Sequence, residues 1–132
     1  MQLNSTATDE TQVHVVIVDD DEMMLEIIEW NLRDFPISYR LFSELTVLRD
    51  FLSAVSPQIL IVDFYMPDTN GLQLISDLKK IPGLSATKFY LCSAVRTKTS
   101  ERAMAKAYDV DHIDKQIICN KEALHELLAP CV

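Results

Sequence analysis

An alternation along the chain limits the fold more than any other feature. Short runs rich in Val and Ile alternate with longer stretches whose apolar residues recur at helical spacing. Val13–Val18 (VHVVIV) reads as a buried strand by its length and β-branched content. Asp21–Arg33 follows as a helix, with Met24, Ile27, Ile28 and Leu32 spaced for one face, and Pro36 closes that region. Ile37–Phe42 is a second short strand. Ser43 is placed to cap a helix over Glu44–Ala54, with Leu45, Leu48, Phe51 and Leu52 inward. Pro57 separates that helix from a third strand, Ile59–Val62. Leu72–Lys79 is a short helix ended by Pro82-Gly83, and Lys88–Cys92 is a fourth strand. Ser100–Tyr108 is a helix with few large apolar residues. Val110–Ile113 is a weak fifth strand, and Lys121–Leu128 is the last helix.

Strands that alternate with helices imply a parallel sheet covered on both faces. Strands one, three and four are nearly continuous apolar runs, as central parallel strands are. The 132 residues fit one domain. Residues 1–12 are polar and aperiodic and read as a flexible arm, residues 13–129 as the domain, and residues 130–132 as a tail.

Charge narrows the partners. The net charge is −8, and residues 1–32 hold eight acids and no Lys or Arg, while the remainder is balanced. A pI near 4.7 is wrong for general nucleic-acid binding, which rewards clustered bases. No apolar run approaches the ~20 residues that span a bilayer, and MQLNSTATDE lacks the basic and apolar regions of a secretory signal. Cys92, Cys119 and Cys131 are odd in number with no CxxC spacing, which reads as reduced thiols in a cytoplasmic protein.

In such sheets ligands bind beyond the carboxyl ends of the strands. Asp19, Asp20 and Asp21 follow strand one, Asp63 follows strand three, Ser93 follows strand four, and Lys115 follows strand five. Crowded carboxylates need a cation, and oxygen ligands of this kind favour Mg²⁺. Lys115 offers a point charge and Ser93 a neutral donor for phosphate oxygens. An Asp carboxylate can itself become an aspartyl-phosphate. The structural alternative is that acids at a helix start cap it and suit its dipole. That alternative takes Asp21 and Glu22. It does not account for the joint occurrence at successive strand ends.

The segments VVIVDDDEMM, ILIVDFYMPDTNGLQLI, YLCSA and HIDK together resemble the receiver domain of two-component response regulators, over about Val13 to Leu128. The resemblance implies a flavodoxin-like, doubly wound α/β fold with a five-stranded parallel sheet, order 2-1-3-4-5, and five helices. It implies that Asp63 accepts a phosphoryl group from a histidine kinase or histidine phosphotransfer protein. Asp19, Asp20, Asp63 and the backbone carbonyl of Tyr65 would hold Mg²⁺. Ser93 and Lys115 would bind the phosphoryl oxygens, and Ser93 and His112 would be the switch residues. The signal would pass to a protein target on the face of the fourth helix, fifth strand and fifth helix, with dimerisation on phosphorylation as one outcome. The chain would be a phosphoacceptor that catalyses its own Mg²⁺-dependent phosphorylation and dephosphorylation, not a turnover enzyme.

Several positions depart from the family pattern. Gln116 stands where Pro usually follows the lysine, so a trans Lys115–Gln116 bond is expected. His112 replaces the usual Tyr or Phe, either as a rotating, titratable ring or as an ordinary half-exposed His. Tyr65 and Val95, two residues past Asp63 and Ser93, would shield the acyl phosphate from water. Arg96, Lys98, Arg102 and Lys106 make the fourth-helix region basic, either as a solvated face or as a partner surface. Two rivals remain at this level. One is a receiver-like interaction module that is never phosphorylated. The other is a hydrolase working through an aspartyl-phosphate, against which Tyr65 stands where such enzymes carry a second acid.

Overall fold

Apolar strands that are buried on both faces sort their side chains by parity, and this sorting builds the molecule. The computed structural model describes residues 2–4, 13–66, 69–93 and 99–132. The strands are β1 (Gln2–Asn4), β2 (Val15–Val18), β3 (Tyr39–Phe42), β4 (Ile59–Asp63), β5 (Lys88–Ser93) and β6 (Asp111–Asp114). The helices are α1 (Glu22–Leu32), α2 (Leu45–Leu52), α3 (Gly71–Leu78), α4 (Thr99–Ala107), α5 (Lys115–Cys119) and α6 (Lys121–Leu128). The sheet order is β1-β3-β2-β4-β5-β6, and β3-β2-β4-β5-β6 are parallel throughout. This is the expected 2-1-3-4-5 arrangement.

Side chains alternate across a strand. Val16, Val18, Leu60, Val62 and Leu91 fall into one core, closed by Leu48 and Leu52 of α2, Leu74, Ile75 and Leu78 of α3, and Ala105 of α4. Val15, Ile17, Ile59, Ile61 and Cys92 fall into the other, closed by Leu25, Ile28 and Leu32 of α1, Ile118 of α5, and Leu124 and Leu128 of α6. Each fully buried Leu or Ile contributes about 1.5–3 kcal/mol, so both layers are needed. The same parity carries Asp19 and Asp63 onto the α1, α5 and α6 side at the strand ends.

Several expectations shift. Gln2–Asn4, within the segment read as an arm, pair antiparallel with β3 and cover its outer edge. An uncovered β3 would leave a row of unpaired backbone groups there. The segment after β6 holds two helices instead of one, which makes six. Asn120 ends α5 and begins α6, and its side chain accepts the Ala123 N–H at 2.8 Å. The Lys115–Gln116 bond is trans, as expected. Glu44, not Ser43, occupies the N-cap of α2. On α1 the inner positions are Leu25, Ile28 and Leu32, while Ile27 is exposed. In the tail, Ala129–Cys131 form a 3-10 turn and Cys131 joins the second core.

Only two glycines occur in the chain, and Gly71 has a packing reason. Its N–H donates to the Phe64 carbonyl at 2.8 Å. A Cβ there would lie 2.3 Å from the backbone oxygen of Asp63. Its φ is not positive, so space and not backbone freedom demands glycine. Gly71→Ala is therefore expected to lower stability by about 1–3 kcal/mol, the usual effect of overpacking. Urea unfolding checks this; an unchanged midpoint contradicts the contact.

Candidate functional site

Two strand ends deliver three carboxylates to one place. β2 ends at Val18 and is followed by Asp19 and Asp20, while Asp63 is the last residue of β4. Ligand oxygens of Asp19, Asp20 and Asp63 lie within 4.8 Å of one another. Asp19 and Asp63 are buried, and Asp20 is exposed at the mouth. Lys115, the first residue of α5, brings its Nζ to 3.2 Å from Asp19 Oδ2 and 3.4 Å from Asp63 Oδ1. Gln116 therefore does not prevent the lysine from reaching the acids.

The local backbone holds this arrangement. The Asp19 N–H donates to the Phe42 carbonyl, tying the loop to β3. The Asp21 N–H donates to Asp19 Oδ1 at 2.9 Å and fixes that carboxylate. Asp21 in turn accepts from the N–H groups of Met23 and Met24 and caps α1, as its sequence position implies.

The electrostatics are those of a site built for a cation. Burial, and then the charge of Asp19, push the Asp63 carboxyl up to about 7, against the pull of Lys115. Burial also raises Asp19, opposed by the Asp21 N–H and by Lys115. Burial lowers the Lys115 ammonium, but Asp19 and Asp63 outweigh it and its pKa is raised. Asp19 Oδ2 is buried, and among the described residues it is met by the Lys115 ammonium at 3.2 Å without a further hydrogen-bond donor. A buried carboxylate oxygen in that state is unfavourable. Three oxygen donors with one lone pair unsatisfied fit a hard divalent cation such as Mg²⁺.

Ser93 ends β5, and its Oγ lies 2.7 Å from His112 Nε2. The β4–β5 register pairs Asp63 with Cys92, so Ser93 stands one residue beyond the level of Asp63. Tyr65 is 57 % exposed and sits edge-on to Phe64, with ring centroids 4.9 Å apart. Pro67, Ala94, Val95, Arg96 and Lys98 lie outside the described residues. Lys106 is exposed.

The histidines away from the site, and Cys92, have structural roles. His14 bonds Ser38, and His125 stacks on Phe35 while bonding the Asn31 carbonyl. Burial, and then the Asp63 charge, raise the Cys92 thiol to about 12, which keeps it an inert core residue. Met23 and Trp30 are exposed on α1, with the Arg33 guanidinium 4.8 Å from the Trp30 ring centroid. Gly71 is the contributor that motif reading leaves underused. Its signal was rarity, in a chain with two glycines.

Comparison with known proteins bears on the family and the fold. The chain is 32% identical over 120 residues to a protein-glutamate methylesterase/protein-glutamine glutaminase of Leptospira interrogans. That match covers 86% of this chain and 33% of the relative, so the chain spans about a third of the curated relatives it matches. Its fold is similar to that of Vibrio cholerae chemotaxis protein CheY4, with a TM-score of 0.78 at 16% identity over 92% of this chain and 99% of that one. It is also similar to a CheY-like receiver domain protein of Methanospirillum hungatei, with a TM-score of 0.76 at 17% identity over 90% and 92%. The family model for the response regulator receiver domain matches residues 15–129, nearly the whole chain, and the chain belongs to that family.

Proposed function

We infer that the chain is a phosphorylation-dependent switch of a two-component phosphorelay, with Asp63 as the phosphoacceptor. One observation carries this reading: Asp19, Asp20, Asp63 and Lys115 converge from three segments far apart in sequence. A histidine kinase or histidine phosphotransfer protein is the donor. An Asp63 oxygen forms the new P–O bond as the P–N bond to the donor histidine breaks. Asp63 must be ionised to attack, and its raised pKa means that the bare site resists ionisation. Asp19, Asp20, Asp63 and the Tyr65 carbonyl are the residues that would hold Mg²⁺. The ion supplies charge neutralisation for the acids and the phosphoryl oxygens. Lys115 exchanges its contact with Asp63 for a phosphoryl oxygen, and Ser93 donates to another.

Ser93 and His112 act as switch residues and bias the face made by α4, β6 and the helices that follow. A protein target reads that face in the cytoplasm, directly or through a phosphorylation-dependent dimer. The chain is a self-modifying phosphoacceptor and not a turnover enzyme.

With Mg²⁺ and a small acyl phosphate, intact mass spectrometry should show one added phosphoryl group, absent in Asp63→Asn. No gain by the unaltered chain sinks the reading. The exposed Tyr65 ring beside the acceptor should slow hydrolysis, so Tyr65→Ala should shorten the phosphorylated lifetime by about fivefold, equivalent to about 1 kcal/mol of barrier. An unchanged lifetime removes that role.

The third expectation concerns pH. Asp63 rises from 3.8 to about 7 on folding, so between those values the folded chain binds more protons than the unfolded one. Stability from this group is therefore present at low pH and lost as pH rises through the window. In metal-free buffer, the stability advantage of Asp63→Asn over the unaltered chain should grow from about pH 4 to about pH 7 and then level. Mg²⁺ should narrow it. Thermal unfolding across pH checks both; a flat difference contradicts them.

A further inference from the structure

The pairing of Ser93 with His112 carries information that a Tyr or Phe at position 112 would not. β5 and β6 run parallel with Leu91 opposite His112 and Ser93 opposite Asp114. His112 and Ser93 therefore share a sheet face on adjacent strands, two residues apart in register. Ser93 is 1 % exposed and His112 is half-buried. Their 2.7 Å separation is at the short end for a hydrogen bond involving nitrogen.

A serine hydroxyl has one proton and two acceptor lone pairs. A neutral imidazole nitrogen either carries a proton or accepts one. If His112 Nε2 accepts, Ser93 spends its single proton on the ring. If His112 Nε2 carries the proton, it donates to Ser93 Oγ and leaves the serine proton for another acceptor. Under the switch reading, on which this inference rests, that other acceptor is a phosphoryl oxygen on Asp63. The two demands are compatible only when His112 donates.

We propose that His112 is a positioning residue: its Nε2–H donates to Ser93 Oγ and keeps the serine proton for the phosphoryl group on Asp63. Phosphorylation then selects one imidazole tautomer, and ring position is coupled to the acceptor site through a single hydroxyl. The ring gains no net proton: its single N–H moves from Nδ1 to Nε2 by exchange with water, and one hydrogen bond changes direction. Phenylalanine would fill the space without a donor, whereas glutamine would retain an N–H.

The test compares the unaltered chain, His112→Phe, His112→Gln, Ser93→Ala and the Ser93→Ala/His112→Phe double variant. Each is phosphorylated with a small acyl phosphate and Mg²⁺, and the rate is followed by intact mass. His112→Phe should be slower by about tenfold, the effect of one hydrogen bond on a barrier. His112→Gln should recover most of the rate. In the Ser93→Ala background, His112→Phe should add nothing, because its route of action is gone. In the unaltered chain under excess phosphodonor, the ¹⁵N shift of His112 Nε2 should be that of a protonated ring nitrogen. This measurement stands even if a variant fails to fold.

An unprotonated Nε2 in the phosphorylated chain overturns the proposal. So does a normal rate in His112→Phe, or an equal loss with and without Ser93. In those cases the unaltered chain still gains its phosphoryl group and the switch reading survives. If the unaltered chain gains none, both fall.

Discussion

The structure depends on holding three carboxylates at one sheet edge against their mutual repulsion. Asp19 and Asp63 are buried beside each other, and burial alone disfavours their charged forms. One ammonium, Lys115, opposes both. Its position follows from the start of α5, which follows from β6, which lies beside β5 in the parallel sheet. The site therefore exists only when the sheet is complete. No local segment could assemble it, because its members reach the site from separate crossovers. The opposing charges leave the acids only partly neutralised, and this imbalance is compatible with a divalent cation.

Much of this was legible in the chain. Strands whose residues are apolar at every position declare burial on both sides, and a parallel sheet with helices on both faces is the economical way to provide it. Once the strand ends were located, Asp19, Asp20, Asp63, Ser93 and Lys115 followed, because the topology makes those ends neighbours. Family resemblance is the source of the roles proposed for these residues, and the geometry brings three of the acids and the lysine together.

What was not legible depends on contacts between segments that sequence periodicity does not report. The clash that demands Gly71 involves a backbone oxygen eight residues earlier, and nothing in the surrounding helix pattern announces it. Asn120 serves two helices at once, which divides a segment expected to hold one. Ile27 fits the helical spacing of α1 but is exposed, since the sheet meets only part of that stripe. Gln2–Asn4 are only three residues with Gln and Asn at the ends, and they become a strand because β3 offers an edge, not because they prefer extension.

That last pairing bears on how other molecules can meet this sheet. One border is closed by the antiparallel Gln2–Asn4. The opposite border is β6, whose sequence DHID sets an acid at each end of His112-Ile113, and whose exposed Asp111 is bound to Lys88 at 2.7 Å. Charged side chains on a border strand discourage another chain from adding to it. Sheet-to-sheet growth is thus hindered at both rims, at one by an edge strand of three residues and at the other by charge. What the fold leaves open to other molecules is the helices and the loops at the strand tips, which present side chains rather than backbone ladders.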